Sequence, residues 1–207
     1  MIQTIQSKLV AKCYSQRAGI NYDKVFAPIA HLETIRLIIY LAAQNKWKIH
    51  QIDIKSAFLN RVLEEVYIQQ PPRYEVKKKE DKVLKLKKAF YGLKQASRAW
   101  NNQIDKYLQV KGFIKCYYEH ALYIKNMNKD VLIICLFIDN LIFTENNQMM
   151  FQELKQAMTN EFEMIDIRLM AYNLGIEFHQ MKDGIFISQE SYAKEMLRSS
   201  RWIIANL

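Results

Sequence analysis

Hydrophobic and polar residues follow two periods along this chain, one typical of helices and one typical of strands. Over residues 33–45, apolar residues recur every three or four positions, which places Ile35, Ile38, Ile39 and Ala42 on one stripe of a helix. Similar stripes predict helices at 95–111 and 147–162, and a last helix is expected at 189–199. For the last of these, Ser188 is the predicted N-terminal cap.

Strands are predicted where apolar residues run together or alternate with polar ones. A strand at 48–54 ends near Asp53, and strands at 131–137 and 141–144 flank Asp139 and Asn140 in a predicted hairpin. The remaining predicted strands are 8–15, 66–69, 83–87, 121–125, 163–167, 172–178 and 184–187. Because helices and strands mix without a regular βαβ order, we expect an α+β fold with a mostly antiparallel sheet.

Length and composition narrow the class of protein. The 207 residues are enough for one large domain or two small lobes, and half of them are hydrophobic. The longest apolar run, 131–138, is far shorter than a membrane-spanning helix requires. Five glycines form no phosphate-binding loop, and three widely spaced cysteines form no zinc site. The net charge of +9 suits a polyanionic partner.

Two carboxylates occupy unusual positions in this pattern. Asp53 ends an apolar strand, and Asp139 lies at the tip of a very apolar hairpin. A carboxylate at the border of a hydrophobic sheet is costly unless it binds a cation or accepts hydrogen bonds. Two such carboxylates brought together can hold Mg²⁺, which prefers oxygen ligands. Ordinary turn chemistry explains either residue on its own, because aspartate and asparagine favour turns.

The basic residues are concentrated between positions 73 and 98, which hold ten of the 30 lysines and arginines of the chain. Such a cluster is typical of a phosphate-binding patch, and aromatic residues interleave with it as in stacking surfaces. A solvated lysine face explains the same cluster. The members that we expect to form a nucleic-acid patch are Lys85, Lys87, Lys88 and Lys94.

Several blocks in one order resemble the reverse transcriptases of copia-type retrotransposons. The segment QIDIKSAFLN at 51–60 resembles the first catalytic motif of that family, and YGLKQASRAW at 91–100 resembles its most distinctive block. LFIDNL at 136–141 takes the place of the aromatic-x-Asp-Asp hairpin, and LGIE at 174–177 follows it. The resemblance extends over about residues 8–198.

The resemblance implies a right-hand polymerase, with an α+β palm of antiparallel strands and packed helices, and partial fingers. It divides the chain into a residual fingers segment at 1–47, a palm at 48–180, and a start of the primer-grip and thumb side with an unmatched tail at 181–207. It implies an RNA-directed DNA polymerase that uses deoxynucleoside triphosphates on an RNA or DNA template-primer. It also implies no membrane, an intracellular location in cytoplasmic virus-like particles, and an origin in a polyprotein with protease, integrase and RNase H.

The same resemblance assigns roles around a two-metal site for Mg²⁺. Asp53 and Asp139 correspond to the metal-bridging carboxylates, and the backbone carbonyl of Ile54 is a further ligand. Phe58 corresponds to a steric gate beneath the incoming sugar.

Other residues correspond to contacts with the nucleic acid or the nucleotide. On the template and nucleotide side these are Lys8, Tyr91, Gln95 and Arg98. On the primer side these are Phe137, Leu174 and Gly175, of which the last two belong to the primer grip.

The chain departs from the family pattern at the hairpin. Asn140 replaces the second hairpin aspartate, and losing one preorganised charge of this kind costs about 10²–10³ in rate. We also expect the family's fingers segment upstream of Lys8 to be missing. We therefore expect a decayed, truncated and catalytically impaired polymerase domain. The alternatives are a non-catalytic remnant that at most binds nucleic acid, and a two-metal nuclease, which has no need of the block at 91–100.

Overall fold

The structure is a computed structural model that describes residues 13–20, 22, 30–54, 66–72, 74–89, 92–137, 140–162 and 164–199. The chain divides into two compact units, one drawn from the segments 1–29 and 55–112 and the other from 30–54 and 113–207. Asp53 belongs to the second unit, and the basic cluster belongs to the first.

An antiparallel six-stranded sheet forms the centre of the second unit. In spatial order its strands are β4 (Ile114–Lys115), β5 (Leu122–Met127), β6 (Asp130–Phe137), β7 (Asn140–Glu145), β1 (Lys48–Ile54) and β8 (Met164–Leu169). The apolar run predicted from the sequence becomes β6, which has a neighbour on both sides and is almost entirely buried. As the fifth strand in this order, β1 lies between two paired neighbours, so the position of Asp53 is defined from both sides.

Two helices of this unit pack on the sheet: α1 (Leu32–Asn45) contacts β1 and β7, and α3 (Gln148–Glu161) contacts β7. The apolar stripe predicted for α1 is the buried side of that helix. On the face covered by α3, the ring of His50 stacks on the ring of Phe151 with centroids 4.2 Å apart. Phe143 contacts the Phe151 ring edge-on. Side chains alternate along a strand, so the odd-numbered residues of β1, Asp53 among them, point to the opposite face.

A three-stranded sheet and the last helix follow β8 in the chain. They comprise β9 (Tyr172–Asn173), β10 (Ile176–Met181), β11 (Gly184–Ser188) and α4 (Glu190–Ser199). The prediction of one continuous strand at 172–178 is wrong, because Leu174 and Gly175 both adopt positive φ and turn the chain back on itself. Consecutive positive φ angles at the two central residues are the geometry of a type I′ hairpin turn.

In the first unit, the described elements are a 3₁₀ turn at Cys13–Ser15, β2 (Tyr67–Ile68), β3 (Leu84–Lys85) and α2 (Lys94–Val110). A strand was expected at 8–15, and for its described part, Cys13–Ser15, the expectation is wrong. A small apolar cluster packs the start of α2 against the preceding segment. Its buried members are Leu86, Ala89, Leu93 and Ala96.

Two glutamates outside the helices accept hydrogen bonds from residues at the starts of α1 and α4. Glu119 accepts hydrogen bonds from the Thr34 hydroxyl (2.8 Å) and the His31 backbone N–H (3.3 Å) at the start of α1. Glu177 on β10 accepts one from the Ser191 backbone N–H (2.9 Å) at the start of α4. The prediction that Ser188 caps α4 is wrong, because its hydroxyl donates to Glu177 (2.8 Å) instead.

The predicted fold class is confirmed as α+β with a mostly antiparallel sheet, and the four predicted helices are all present, each within about two residues of its expected ends. The short strand β4 was not predicted, because it spans only Ile114–Lys115. Within the described residues, no helix combines the length and hydropathy that crossing a bilayer demands.

Candidate functional site

Asp53 lies in a row of residues that crosses three strands. Its register partner on β7 is Asn140, whose partner on β6 is Phe137. Residues directly opposite each other on antiparallel strands share one face of the sheet. The structure therefore brings Phe137, Asn140 and Asp53 together on the face opposite α3.

A hydrogen bond connects two members of this polar face. The Gln51 side-chain amide donates to the Oδ1 atom of Asn140 over 3.2 Å. Gln51 precedes Asp53 by two positions on β1, so both side chains point to the same face. An aspartate at position 140 could accept the same hydrogen bond, because a carboxylate oxygen accepts wherever an amide oxygen does. The site is thus built to receive either side chain.

The oxygen atoms that the structure places here suit a hard cation such as Mg²⁺. They are the carboxylate of Asp53 and the amide oxygen of Asn140, with the Ile54 carbonyl next in the chain. Asp139 lies outside the described residues, and the described part of the chain contains no group of three His, Cys, Asp or Glu side chains able to hold a metal. These oxygen ligands are of the chemical type that Mg²⁺ prefers, and Asp53 is the one carboxylate among them that the structure describes.

Other predicted contacts lie outside the described residues, namely Lys8, Phe58 and Tyr91. Gln95 and Lys94 begin α2, where they contact the preceding part of their own unit. Gln16 donates to Gln95 over 2.9 Å, and the Lys94 ammonium lies 4.8 Å from the centre of the Tyr22 ring and donates to its hydroxyl over 3.0 Å. Lys94 is therefore half-buried and already engaged, as is Arg98 further along the helix.

The other predicted basic residues precede α2. Lys85 is exposed on β3, opposite Tyr67, with its ammonium 5.9 Å from the centre of that ring. Lys87 and Lys88 are also exposed. The structure thus leaves three of the four expected patch lysines at the surface.

The predicted primer-grip residues form the β9–β10 turn. Leu174 has a φ of 50° and a side chain that is 49% exposed, and Gly175 has a φ of 80°. An exposed leucine in left-handed backbone is uncommon, since a side chain there is strained. This turn belongs to the same unit as Asp53.

Two positions of this region were missed by the sequence analysis. Gln51 could have been found, since its spacing of two from Asp53 predicts a shared face. Asp166, the register partner of Asp53 on β8, stands within an ordinary predicted strand and gave no signal. Pairing between distant strands was the information that the sequence lacked.

Comparison with known proteins identifies the family. The family model described as reverse transcriptase (RNA-dependent DNA polymerase) matches residues 3–206. The chain therefore belongs to the reverse transcriptase family. No solved structure matches it significantly.

The similar curated proteins narrow this assignment. The chain is 32% identical over 201 residues to the retrovirus-related Pol polyprotein from transposon RE2 of Arabidopsis thaliana, covering 97% of this chain and 14% of that protein. It is also 32% identical over 196 residues to the Pol polyprotein from transposon TNT 1-94 of Nicotiana tabacum, covering 93% of this chain and 15% of that protein. The chain is a copia-type reverse transcriptase domain, and it spans about a seventh of the length of these relatives.

Proposed function

We propose that this domain is an RNA-directed DNA polymerase whose catalysis is impaired at one position of its metal site. The observation that supports the proposal is the register pairing of Asp53 with Asn140, held by Gln51. The residue opposite the first catalytic carboxylate is an amide where the family has a carboxylate. Template-primer and deoxynucleoside triphosphates are the substrates that the family membership supports.

In this proposal Asp53, Asp139 and the Ile54 carbonyl would hold Mg²⁺, and Asn140 would offer an amide oxygen where the family has a carboxylate. The bound ion would supply activation of the primer hydroxyl and stabilisation of the charge on the triphosphate. Asn140 keeps one oxygen donor and its contact with Gln51 but contributes no negative charge. If the missing charge is worth one preorganised electrostatic contact, the rate falls by about 10²–10³.

The remaining predicted roles belong to the same proposal. Phe137 contacts the primer end, and Leu174 with Gly175 forms the primer grip. On the nucleotide side the contacts are Lys8, Phe58, Tyr91, Gln95 and Arg98. The division into fingers, palm and thumb-side segments, and a place in virus-like particles within a larger polyprotein, are further parts of it.

Primer extension on an RNA template tests the proposal through position 140. Asn140→Asp should raise the extension rate with Mg²⁺ by about 10²–10³ over the unchanged chain. Asn126→Asp, on the exposed end of β5, adds the same charge elsewhere and should not. Adding Asp53→Asn to the Asn140→Asp protein should abolish the gain. Equal rates for the two single variants would contradict the proposal.

Metal binding provides a second readout when extension is too slow to detect. Mn²⁺ should broaden the amide NMR signals of Gln51 and Asp53, and Asn140→Asp should tighten this binding by about tenfold or more, since two opposite charges at contact distance attract by several kcal/mol even at intermediate dielectric. Unchanged signals in both proteins would refute the metal site. Metal binding in the Asn140→Asp protein without any extension would favour the alternative, a non-catalytic remnant that binds nucleic acid.

A further inference from the structure

An open cleft of about 370 Å³ lies in the second unit, between the end of α1, the start of β1 and the turn joining β10 to β11. Three lysines from three different elements line it. They are Lys46 after α1, Lys48 at the start of β1, and Lys182 in the turn. All three side chains are exposed, and no carboxylate is among the described residues that line the cleft.

Lysines near the end of a helix are often explained by the helix dipole, which favours positive charge there. That explanation accounts for Lys46, but Lys48 and Lys182 come from a strand and a hairpin turn. Three lysines around one cleft, with no carboxylate among its described lining residues, give the cleft a positive potential that attracts anions. The charge therefore indicates an anionic ligand.

The backbone at Lys46 supports this interpretation. Lys46 adopts a φ of 59° in the turn that ends α1, where its N–H and that of Trp47 donate to the carbonyls of Ala43 and Ala42. Glycine is the usual residue at this left-handed position, because it has no side chain to strain. A lysine here retains strain that a glycine would remove, which is a common feature of functional sites.

Apolar and aromatic surface completes the cleft. The half-buried Trp47 lines it, together with the exposed side chains of Leu169 and Met181. An indole beside separated ammonium groups is the combination with which proteins bind nucleic-acid strands, since bases stack on the ring and phosphates contact the lysines. A compact inorganic anion would leave the apolar surface unused.

Gln180 fixes the geometry of this cleft. Its side chain accepts a hydrogen bond from the Ile49 N–H (2.9 Å) and donates to the carbonyls of Ile49 (2.8 Å) and Met170 (2.9 Å). These bonds tie β10 to β1 immediately beside Lys48, and the turn with Lys182 follows two residues later. The backbone segments that carry Lys48 and Lys182 are therefore tied together before any ligand binds.

We propose that the cleft formed by Lys46, Lys48, Lys182 and Trp47 binds the phosphate backbone and a base of a nucleic-acid strand. The proposal rests on the proposed polymerase function, and it adds a strand-binding surface that is separate from the basic cluster at 73–98.

Fluorescence titration of the full chain with an oligothymidylate tests the cleft directly. All measurements use a Trp202→Phe background, which leaves two of the three tryptophans of the chain. Trp47 should then be quenched on binding, whereas Trp100 is fully buried and should not respond. The protein Trp47→Phe should lose the cleft signal while retaining most of the binding measured by anisotropy of a labelled strand. An unchanged quenching signal in this variant would overturn the assignment of Trp47.

The matched variants remove the three ammonium groups. Lys46→Gly, Lys48→Gln and Lys182→Gln combined should weaken binding about tenfold and lower the slope of log affinity against log salt by about 2, since a single strand releases about 0.7 counterions per neutralised phosphate. Lys46→Gly alone should leave Tm unchanged or raise it, so a binding loss there is not unfolding. Lys129→Gln, in the β5–β6 turn outside the cleft, is the control for charge.

The outcomes separate this inference from the proposed function. If the combined variant binds the strand as tightly as the wild type, the cleft proposal is wrong and the polymerase proposal stands. No salt-dependent binding by the wild type would overturn both. Quenching of Trp47 by pyrophosphate at the same total phosphate concentration, to the same extent as by the strand, would show a small-anion site and overturn the strand. If the combined variant loses strand binding while Mn²⁺ still broadens the Asp53 signal, the result supports the cleft independently of the metal site.

Discussion

Leu174 combines a strained backbone with an exposed apolar side chain. It takes a left-handed backbone with a φ of 50°, at the tip of a two-residue turn, and its side chain is half exposed. Left-handed backbone costs a residue with a side chain about 1–2 kcal/mol relative to glycine. A glycine at this position would avoid that cost, so the leucine can be tested by substitution.

We predict that Leu174→Gly raises the free energy of unfolding by about 1 kcal/mol, because it removes the strain but also loosens the unfolded chain. Denaturant titration measures the gain. Asn128→Gly, at a φ of 60°, is the matched control and should change stability by only a few tenths of a kcal/mol, since asparagine tolerates this backbone. The proposed primer grip further requires that Leu174→Gly bind primer-template more weakly despite its greater stability. Equal or tighter binding would contradict that role.

Glu177 is the last residue of the family-like LGIE block, and its role in the structure is to hold the start of α4. Hydrogen bonds from Ser191 and then from the Ser188 hydroxyl lower the pKa of the Glu177 carboxyl from 4.5 to about 2. A carboxyl whose pKa is lower in the folded state stabilises the fold above its unfolded pKa. That contribution is lost as pH falls from about 4.5 towards 2.

Acid should therefore loosen the junction of β10 and α4 in this window. An NMR titration of the Glu177 side chain should give a midpoint near 2 in the folded protein. The variant Glu177→Gln should lower stability at neutral pH and flatten its fall between about pH 5 and pH 2. A midpoint at the ordinary glutamate value of about 4.3 would show that these hydrogen bonds are not maintained in solution.

At the scale of elements, Gln180 ties β10 to β1 and to the segment after β8. One side chain makes three hydrogen bonds to backbone groups of Ile49 and Met170, which belong to the strand with Asp53 and to the segment after β8. The contact joins residues 131 positions apart in sequence. Within the second unit, this contact links the strand of Asp53 to β10. The strand β10 lies between the turn with Leu174 and the turn with Lys182.

We predict that Gln180→Met, which keeps length but removes all three bonds, lowers the free energy of unfolding by about 2–3 kcal/mol, since part-buried backbone groups lose their partners. Gln152→Met on the exposed side of α3 is the matched control and should change stability by less than about 0.5 kcal/mol. Denaturant unfolding followed by circular dichroism measures both. A loss no larger than that of the control would mean that water replaces the side chain.

The sequence predicts an element well when residues close together in the chain determine that element. The strand 48–54 and helix α1 depend on apolar spacing within a few residues, and both match their predictions closely. The turn at Leu174 was missed because leucine is a poor residue for positive φ, so only pairing with β10 reveals it. Glu177 replaces Ser188 at the start of α4 for the same reason, because a cap supplied from another strand leaves no local pattern.

The same distinction between local and long-range causes applies to the candidate site and the cleft. Asp53 was proposed from its place at the end of an apolar strand, and its catalytic role stays a prediction. The structure adds its pairing with Asn140, which depends on the order of distant strands. The convergence of Lys46, Lys48 and Lys182 depends on long-range packing, which composition and periodicity do not report. The meeting of Asp53 with Asp139 stays a prediction, since Asp139 lies outside the described residues.

At the scale of the whole molecule, the net charge of +9 is unevenly distributed, and most of the surplus lies at 73–98. Lys85 and Lys87 are exposed members of that cluster, unlike the half-buried Lys94. A positive surface of this kind releases counterions when it binds a phosphate backbone, so affinity becomes strongly salt-dependent. A surface that merely keeps the protein in solution gives no such dependence.

We predict that Lys85→Glu with Lys87→Glu reduces the slope of log affinity against log salt by about 2 for an RNA–DNA primer-template, because each lost phosphate contact removes about 0.9 from the slope for a duplex. Filter binding between about 50 and 200 mM salt measures it. Lys129→Glu with Lys155→Glu changes the net charge equally at positions outside the cluster, and its slope should stay close to that of the wild type. If both pairs flatten the slope alike, overall charge and not the cluster governs binding; if neither does, the lysines at 85 and 87 form a solvated face.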